Sequence, residues 1–409
     1  MCGFFGAIAK NEIYLKDYFF HNYRGPDAYR EKYISDSKLG VVSLAHSRLE
    51  ITGDNNNGMQ PCVEENISMV YNGELFGINL SNYGFSDTRY LFESINKFYL
   101  TKDINKFSHF INNLNGYFAF AILDTQNHQI FLVRDRYGQK PLFYGIYNSD
   151  FCFGSTITDV KNYLRISVNV NKVRTRVGGG FIYDELNPVA QSEIKQLPPG
   201  CILRYSQNNV DIIKWHERDN LNIYQGERYD TYLDRLDFLL NKAVKIRCES
   251  PEKIAISLSG GYDSTLIASY ACKHASDLKA FTFSTLDPNY DESQKALLTA
   301  NKLDIPLFIT KEKNPSFSEF KRLSKAIEIP CFNQSFTSYS DHYKSISNNG
   351  FKVVLEGHGA DELFGGYPTN QIELLYVYLK NFNFLKLING INIAKNHFGM
   401  KSFNIFKSL

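Results

Sequence analysis

The first residues able to do chemistry are Met1-Cys2-Gly3. Once Met1 is removed, Cys2 carries a free α-amino group on the same residue as its thiol. An α-amino group has an ordinary pKa of about 7.7–8.0. It can take the thiol proton directly or through a water, so nucleophile and base arrive together. The thiolate is the reactive species, which makes a neighbouring base more telling than sulfur alone. By itself a second-position cysteine also fits an ordinary small residue near a processed terminus.

The second such stretch is Leu258-Ser259-Gly260-Gly261-Tyr262-Asp263-Ser264-Thr265. It follows a strand-like run and precedes a helical pattern. Small residues there let several backbone N–H groups face one anion, and the helix N-terminus adds its dipole. The combination reads as a phosphate cradle; a Gly-rich turn with a Ser or Asp cap is the plainer alternative. Other polar positions are double-valued too. Asn72-Gly73 after a strand is the usual signal of a hairpin turn. Ser86-Asp87-Thr88 before Leu91, Phe92 and Ile95 reads as a helix N-cap.

Two kinds of scaffold must position these residues. Residues 1 to about 205 are β-rich with short turns: strand-like runs lie at Cys2 to Ala9, Val41 to His46, Met69 to Tyr71, Tyr117 to Leu123 and Ile130 to Val133. Residues 206–228 are polar and are read as a linker. From Tyr232 the apolar period becomes helical, through Leu233, Leu236, Leu239, Leu240, Ala243 and Val244. Strand-like runs at Lys253 to Leu258, Lys279 to Ser284, Pro306 to Thr310 and Phe351 to Leu355 then alternate with helical stretches, which implies a parallel sheet covered on both faces. The expected organisation is a domain at 1–205, a linker at 206–228 and a second domain at 229–409, and 409 residues suit two cores.

Composition narrows the class. Lys plus Arg number 45 and Asp plus Glu 43, so no strong field favours nucleic acid or an anionic membrane. No apolar run is long enough to span a bilayer, and the first residues do not resemble a signal peptide. The seven cysteines are widely spaced without a C-x-x-C pair, against a disulfide framework or a structural zinc site. A reduced, cytoplasmic setting is expected.

In order, Cys2-Gly3, Arg24-Gly25-Pro26-Asp27, His46-x-Arg48-Leu49, Gly58-x-Gln60-Pro61, Tyr71-Asn72-Gly73-Glu74, Ser86-Asp87-Thr88 and Arg134-Asp135-Arg136-Tyr137-Gly138-x-Lys140-Pro141-Leu142 resemble the glutaminase domain of class II, N-terminal-nucleophile amidotransferases. Within that group they look most like glutamine-dependent asparagine synthetase. The resemblance implies an α+β sandwich of two antiparallel sheets with helices. It implies Cys2 as nucleophile, the Asn72 side chain and Gly73 N–H as oxyanion donors, Arg48 on the glutamine carboxylate, and Glu74 and Asp87 on its ammonium. Guanidinium suits a bidentate carboxylate grip.

The Ser259–Ser264 stretch resembles the pyrophosphate loop of ATP pyrophosphatases, which cleave ATP between its α and β phosphates. That implies an α/β domain with a parallel sheet, ATP held by Leu258, Ser259, Gly260, Gly261, Asp263, Ser264 and Gly357, and Mg²⁺ at Asp263. Residues 355–367, Leu-Glu-Gly-His-Gly-Ala-Asp-Glu-Leu-Phe-Gly-Gly-Tyr, resemble a further family stretch and place His358, Asp361 and Glu362 at an acceptor or adenylate site. Tyr290-Asp291-Glu292 resembles a family acidic pair and also fits helix-start charges.

Two departures stand out. Where the family has Ser-Gly-Glu, this chain has Glu356-Gly357-His358, and it ends sooner, at Leu409. A shortened second domain is expected, with an apolar tail (Leu375 to Leu387, Lys401 to Phe406) packed on the sheet or exposed to a partner. The function implied is glutamine-dependent amidation of a carboxylate, aspartate by family default, in a possible homodimer. The rivals are another acceptor, such as a uronic-acid sugar, and a relative that keeps only glutaminase activity or serves as an interaction subunit.

Overall fold

Phe4 and Phe5 show how the first half is built. They are neighbours on one strand, so they point to opposite faces, and both are fully buried. Their sheet therefore needs cover on each side. The computed structural model describes residues 1–19, 23–54, 57–99, 103–147, 150–166, 193–207, 209–217, 228–328 and 334–398.

Twelve described strands form two six-stranded antiparallel sheets. The first sheet contains β1 (Gly3–Ala9), β2 (Ala28–Asp36), β3 (Gly40–Arg48), β8 (Phe143–Tyr147), β9 (Asp150–Gly154) and β10 (Ile194–Gln196), in the order β10-β8-β9-β1-β3-β2. The second contains β4 (Cys62–Glu64), β5 (Ile67–Leu75), β6 (Gly116–Asp124), β7 (Gln129–Arg134), β11 (Cys201–Ser206) and β12 (Asn209–Lys214), in the order β12-β11-β7-β6-β5-β4.

Phe4, Val42 and Leu44 of one sheet meet Val70, Ala121 and Leu132 of the other in the central core. On the outer face of the second sheet, Tyr71, Phe118 and Phe120 pack under α1 (Asp87–Tyr99) and α2 (Ile104–Asn113). On the outer face of the first, Phe5, Ala7 and Ala45 pack with α3 (Ile157–Leu164).

Three expectations change. Asn72-Gly73 is not a turn: β5 continues through it to Leu75, with Asn72 opposite Ala119 and Gly73 opposite Phe118. The first scaffold also does not stop at 205, because β12 pairs with β11 and Trp215 is buried, stacked on Phe118 at 6.2 Å between ring centroids. Ser206 and Asn209–Lys214 are thus sheet, not linker; 208 and 218–227 lie outside the described residues. Finally, the chain divides into one unit of Met1–Asp237, Glu249–Pro251 and Asn314–Tyr339 and another of Phe238–Cys248, Glu252–Lys313 and Ser340–Leu409. Residues 314–339 therefore go with the first unit. There the Glu328 carboxylate accepts from Ile157 N at 2.9 Å and Thr158 N at 2.6 Å, occupying the open donors at the start of α3.

The second unit holds a parallel sheet of β13 (Ile254–Ser257), β14 (Lys279–Ser284), β15 (Leu307–Lys311) and β16 (Val353–Leu355), in the order β15-β14-β13-β16. Helices α4 (Tyr229–Cys248), α5 (Tyr262–Ala271) and α6 (Ser293–Leu303) contribute Val244, Ala268 and Ala296 to one apolar cluster with Ile254 and Ile256. Ala255 and Phe281 face the other way, against Ile346 of α8 (Gln334–Asn348) and Phe351. Before α8 comes α7 (Phe317–Ile327), and after β16 come α9 (Ala360–Phe364), α10 (Pro368–Lys380) and α11 (Phe384–Phe398). In this apolar tail, Leu375 and Ala394 bury each other while Leu385 stays 80% exposed; residues 401–406 lie outside the described residues. Among the described residues no helix is long and apolar enough to cross a membrane.

Trp215 closes the helix-covered face and donates its indole N–H to Arg134 O at 3.3 Å. Trp215→Ala should destabilise the first unit by about 3–5 kcal/mol, the usual cost of deleting a large buried aromatic. Circular dichroism during denaturation checks this; a loss under about 1 kcal/mol would contradict it.

Candidate active sites

Cys2 enters β1 directly, and β1 pairs with β3 so that Gly3 faces Ser47. This register sets the thiol beside Leu49, whose N–H donates to Sγ at 3.3 Å. Burial pushes the Cys2 thiol up, and the Leu49 hydrogen bond acts against it. Desolvation pushes the Met1 α-amino group down to about 6.

The Arg24–Asp27 turn is a clamp on this segment. Arg24 Nη1 donates to Cys2 O at 3.3 Å, and Gly25 N donates to Met1 O at 2.8 Å. Gly25 has φ +58°, and a Cβ there would lie 2.1 Å from Ser47 C, so only glycine fits. Lys140, pushed down by burial, feels Arg24, Glu74 and Cys2 in turn, and its ammonium lies 4.5 Å from the centroid of the Tyr117 ring. Arg24 and Lys140 belong to recognised motifs, yet sequence reasoning gave neither a role at the thiol. Motif membership was the available signal.

Asn72 is 1% exposed, and its Nδ2 is a buried donor without a partner among the described residues. Leaving such a donor unsatisfied costs about 1–3 kcal/mol, so it is a group prepared for an incoming acceptor. Gly73 is required beside it, since a Cβ would meet Tyr117 O at 2.5 Å. The carboxylate of Glu74 accepts from Tyr117 OH at 2.8 Å.

Asp87 does more than cap a helix. Its Oδ1 accepts from Thr52 Oγ1 at 2.7 Å and Thr88 N at 2.8 Å, and its Oδ2 from Tyr71 OH at 2.9 Å and Leu75 N at 3.3 Å. Burial pushes its carboxyl up and these hydrogen bonds oppose that. The helix cap itself is Ser86, whose Oγ accepts from Arg89 N at 3.2 Å. Arg48 is 3% exposed; its Nη2 donates to Thr52 O at 3.0 Å and Gly53 O at 2.7 Å. Arg48 and Asp87 thus share the Thr52 loop. Cys2 feels Asp87 and Lys140, and Lys140 feels Glu74, so these groups form one electrostatic neighbourhood.

In the second unit, residues 258–261 leave β13 and turn into α5. Ser259 Oγ lies 3.0 Å from Ser264 Oγ and accepts from Gly261 N at 3.2 Å. Gly260 has φ +79°, and a Cβ would lie 2.5 Å from Lys295 C of α6. The turn after β16 packs against the same helix start: a Cβ on Gly357 would lie 2.9 Å from Ser264 N. The strand order reverses between β13 and β16, and ligands of open α/β sheets bind at such a switch point. Leu258 is buried beneath the loop, while Asp263 is half-buried at the first turn of α5. Asp361 and Glu362 stand in α9, where Glu362 Oε1 accepts from Tyr367 OH at 2.8 Å. Asp291 Oδ1 accepts from Ser293 N at 2.9 Å, the helix-start alternative for the acidic pair.

Residues 1–216 match the glutamine amidotransferase domain family, and residues 235–389 match the asparagine synthase family. The chain belongs to the glutamine-dependent asparagine synthetase family.

Among its relatives, the Bacillus subtilis protein named asparagine synthetase [glutamine-hydrolyzing] 2 is 28% identical, over 90% of this chain and 52% of its own length. The human asparagine synthetase [glutamine-hydrolyzing] is 25% identical, over 84% of this chain and 62% of its own. A Gibberella zeae protein named amidase chry2 is 27% identical, over 86% and 55%. The chain therefore spans about half to three-fifths of the length of these family members.

The synthetase-type site fits a nucleotide triphosphate: the glycines leave room where Cβ atoms would intrude, and Ser259 and Ser264 converge on one point. For a divalent cation the protein offers Asp263 at this loop, and no group of three metal-ligating side chains occurs among the described residues.

Asn72→Ala should lower glutamine hydrolysis by about 10²–10³-fold, the usual loss for one oxyanion donor. Its melting temperature should hold or rise, because an unsatisfied buried donor is removed. A clear fall in both activity and melting temperature would mean that Asn72 is structural.

Proposed function

We propose that this chain hydrolyses glutamine at Cys2 and uses ATP, cleaved to AMP and pyrophosphate, to amidate an acceptor carboxylate. The single observation that carries the reading is the pairing of two prepared sites in one family chain: the thiol of Cys2 with the unpartnered Asn72 amide, and the glycine cradle at the β13–β16 switch point.

In the first site the α-amine of Cys2 takes the thiol proton, and sulfur attacks the side-chain carbonyl carbon of glutamine. Asn72 Nδ2 and Gly73 N stabilise the oxyanion as it forms. Arg48 and Glu74 hold the ends of the amino acid, with Asp87 adding its negative field from behind the site. In the second site Ser259, Ser264 and the Gly260–Gly261 backbone bind the polyphosphate, and Asp263 would hold a Mg²⁺ ion that would offset its charge. The acceptor carboxylate is a poor electrophile; joining it to AMP creates a leaving group that ammonia displaces.

Aspartate is the first acceptor to test. A different carboxylate is the second reading, favoured by His358 where the motif this stretch resembles has Glu and by the name amidase on a fungal relative.

Purified protein should release glutamate without ATP. Cys2→Ala should abolish this, and mass analysis of the active form should find Cys2 at the N-terminus. With glutamine, Mg²⁺ and ATP, an acceptor should elicit AMP and pyrophosphate. ADP as the main product would reject the mechanism. Asp263→Asn should weaken Mg²⁺-dependent ATP binding at least about tenfold while glutamate release continues, since the residue is remote in sequence from every group at the thiol.

A further inference from the structure

The histidine of His46-x-Arg48 and the glutamine of Gly58-x-Gln60-Pro61 have no task in the proposed function. Both meet at Tyr71, the residue before Asn72. Tyr71 N donates to Gln60 Oε1 at 2.5 Å, and Tyr71 O lies 3.2 Å from His46 Nε2. Gln60 is 2% exposed and His46 is fully buried.

Strand pairing leaves these two backbone groups to side chains. β4 has three residues, and its ladder with β5 ends where Met69 faces Cys62. β6 covers the other edge of β5. Alternate residues of an antiparallel strand turn their backbone groups to the same edge, so Tyr71, Gly73 and Leu75 all face the side that β4 does not reach. On that edge Leu75 N donates to Asp87 Oδ2. Gly73 N thus stands between two fixed positions, and the carbonyl at His46 belongs to the peptide that leads into Asn72.

The two side chains are braced in turn. Arg30 stands opposite His46 across β2 and β3. Its Nη2 donates to Met59 O at 3.0 Å and Pro61 O at 2.8 Å, and its Nε to Gln60 O at 3.3 Å, which holds the loop that carries Gln60. Burial, with Arg48 and Arg30 adding to it, pushes the His46 imidazole down to about 3. The neutral ring has one N–H, and facing a carbonyl places it on Nε2. Nδ1 is then a buried acceptor with no partner among the described residues. Such an acceptor is unfavourable. An apolar side chain would avoid it and would lose only the bond to Tyr71.

We propose that His46 and Gln60 are positioning residues for the oxyanion donors: by gripping Tyr71 at its carbonyl and its N–H, they fix where Asn72 Nδ2 and Gly73 N stand. The proposal deepens the glutaminase reading above and rests on it. Donors aimed in advance at a developing charge need no reorganisation as it forms. A shift of about 1 Å in such a group can cost about 10²-fold in rate. Without the two side chains this edge of β5 would have neither ladder nor clamp at Tyr71.

The test measures glutamate release from glutamine by the full chain without ATP. His46→Leu removes the donor and Gln60→Leu the acceptor, each with an apolar side chain of similar size. Each should lower kcat by about 10- to 10²-fold and change KM less than about twofold. Alkylation of Cys2 by iodoacetamide should stay within about twofold, because the thiol is held by Leu49 and not by this clamp. The aldehyde analogue of glutamine forms a tetrahedral adduct with the thiol, and its affinity should fall by the same factor as kcat. His46→Gln carries an N–H at the reach of imidazole Nε2 and should recover kcat to within about fivefold of the unaltered chain. Combining His46→Leu with Asn72→Ala should cost less than the product of the single losses, by about threefold or more, since His46 acts through Asn72.

An unchanged kcat in either leucine variant, a loss carried by KM, a matching fall in alkylation, no recovery in His46→Gln, or a full product in the double variant would each overturn the proposal. If His46→Leu does not fold, Gln60→Leu decides by the same readings of kcat, KM and alkylation. An unaltered chain that is alkylated at Cys2 yet releases no glutamate would instead overturn the glutaminase reading, and the proposal with it.

Discussion

The Asp87 carboxylate is 3% exposed and accepts hydrogen bonds from Thr52, Tyr71, Leu75 and Thr88. A buried anion is costly unless donors compensate it, and these donors come from a loop, from two places along β5 and from the start of α1. Their shared need for one acceptor joins the three segments. Tyr71 precedes Asn72, so the position of the unpartnered amide depends on this carboxylate. Thr52 O in turn accepts from Arg48, the residue before Leu49, whose N–H holds the Cys2 thiol. Thiol, amide and guanidinium are thereby tied through one charge. Removing it would leave the Tyr71 hydroxyl and the Leu75 N–H buried without that acceptor.

The second unit depends on close approach instead. Gly260 lies against α6 and Gly357 against the start of α5, with no room for a Cβ at either place. Strand-to-helix turns with small residues expose N–H groups, and the reversed strand order brings two such turns together. A glycine at each contact lets backbone meet backbone, which leaves the serine hydroxyls and the first helical turn to face a ligand.

Much of the fold was legible because apolar patterning is local. Strands such as Ile130 to Val133 and Lys279 to Ser284 declare themselves by composition, and alternation with helical stretches implies a parallel sheet. Boundaries were less legible. The Asn72-Gly73 pair carries a turn signal, but pairing with β6 on one side overrides it and keeps the strand extended. Trp215 and β12 read as linker because their cover, Phe118 and β11, lies elsewhere in the chain or only just before them. Residues 314–339 had no sequence sign that they would pack with the first unit, since the bond from Glu328 to the α3 start joins residues 170 positions apart.

By itself the sequence determined the nature of the chemistry available: a second-position thiol, an amide beside a glycine, and a serine–glycine phosphate loop. Residue type sets which atoms can attack, donate or accept, and no folding changes that. Tertiary structure decided which of those atoms are prepared. Burial left Asn72 Nδ2 without a partner and occupied Asp87 with four, so two polar residues that looked alike as turn or cap signals became an open donor and a filled acceptor. Likewise only the fold brought His46 of β3 and Gln60 to the two backbone groups of Tyr71. The reason is physical: the cost of an unmet hydrogen bond depends on what surrounds the group, and the surroundings come from distant parts of the chain.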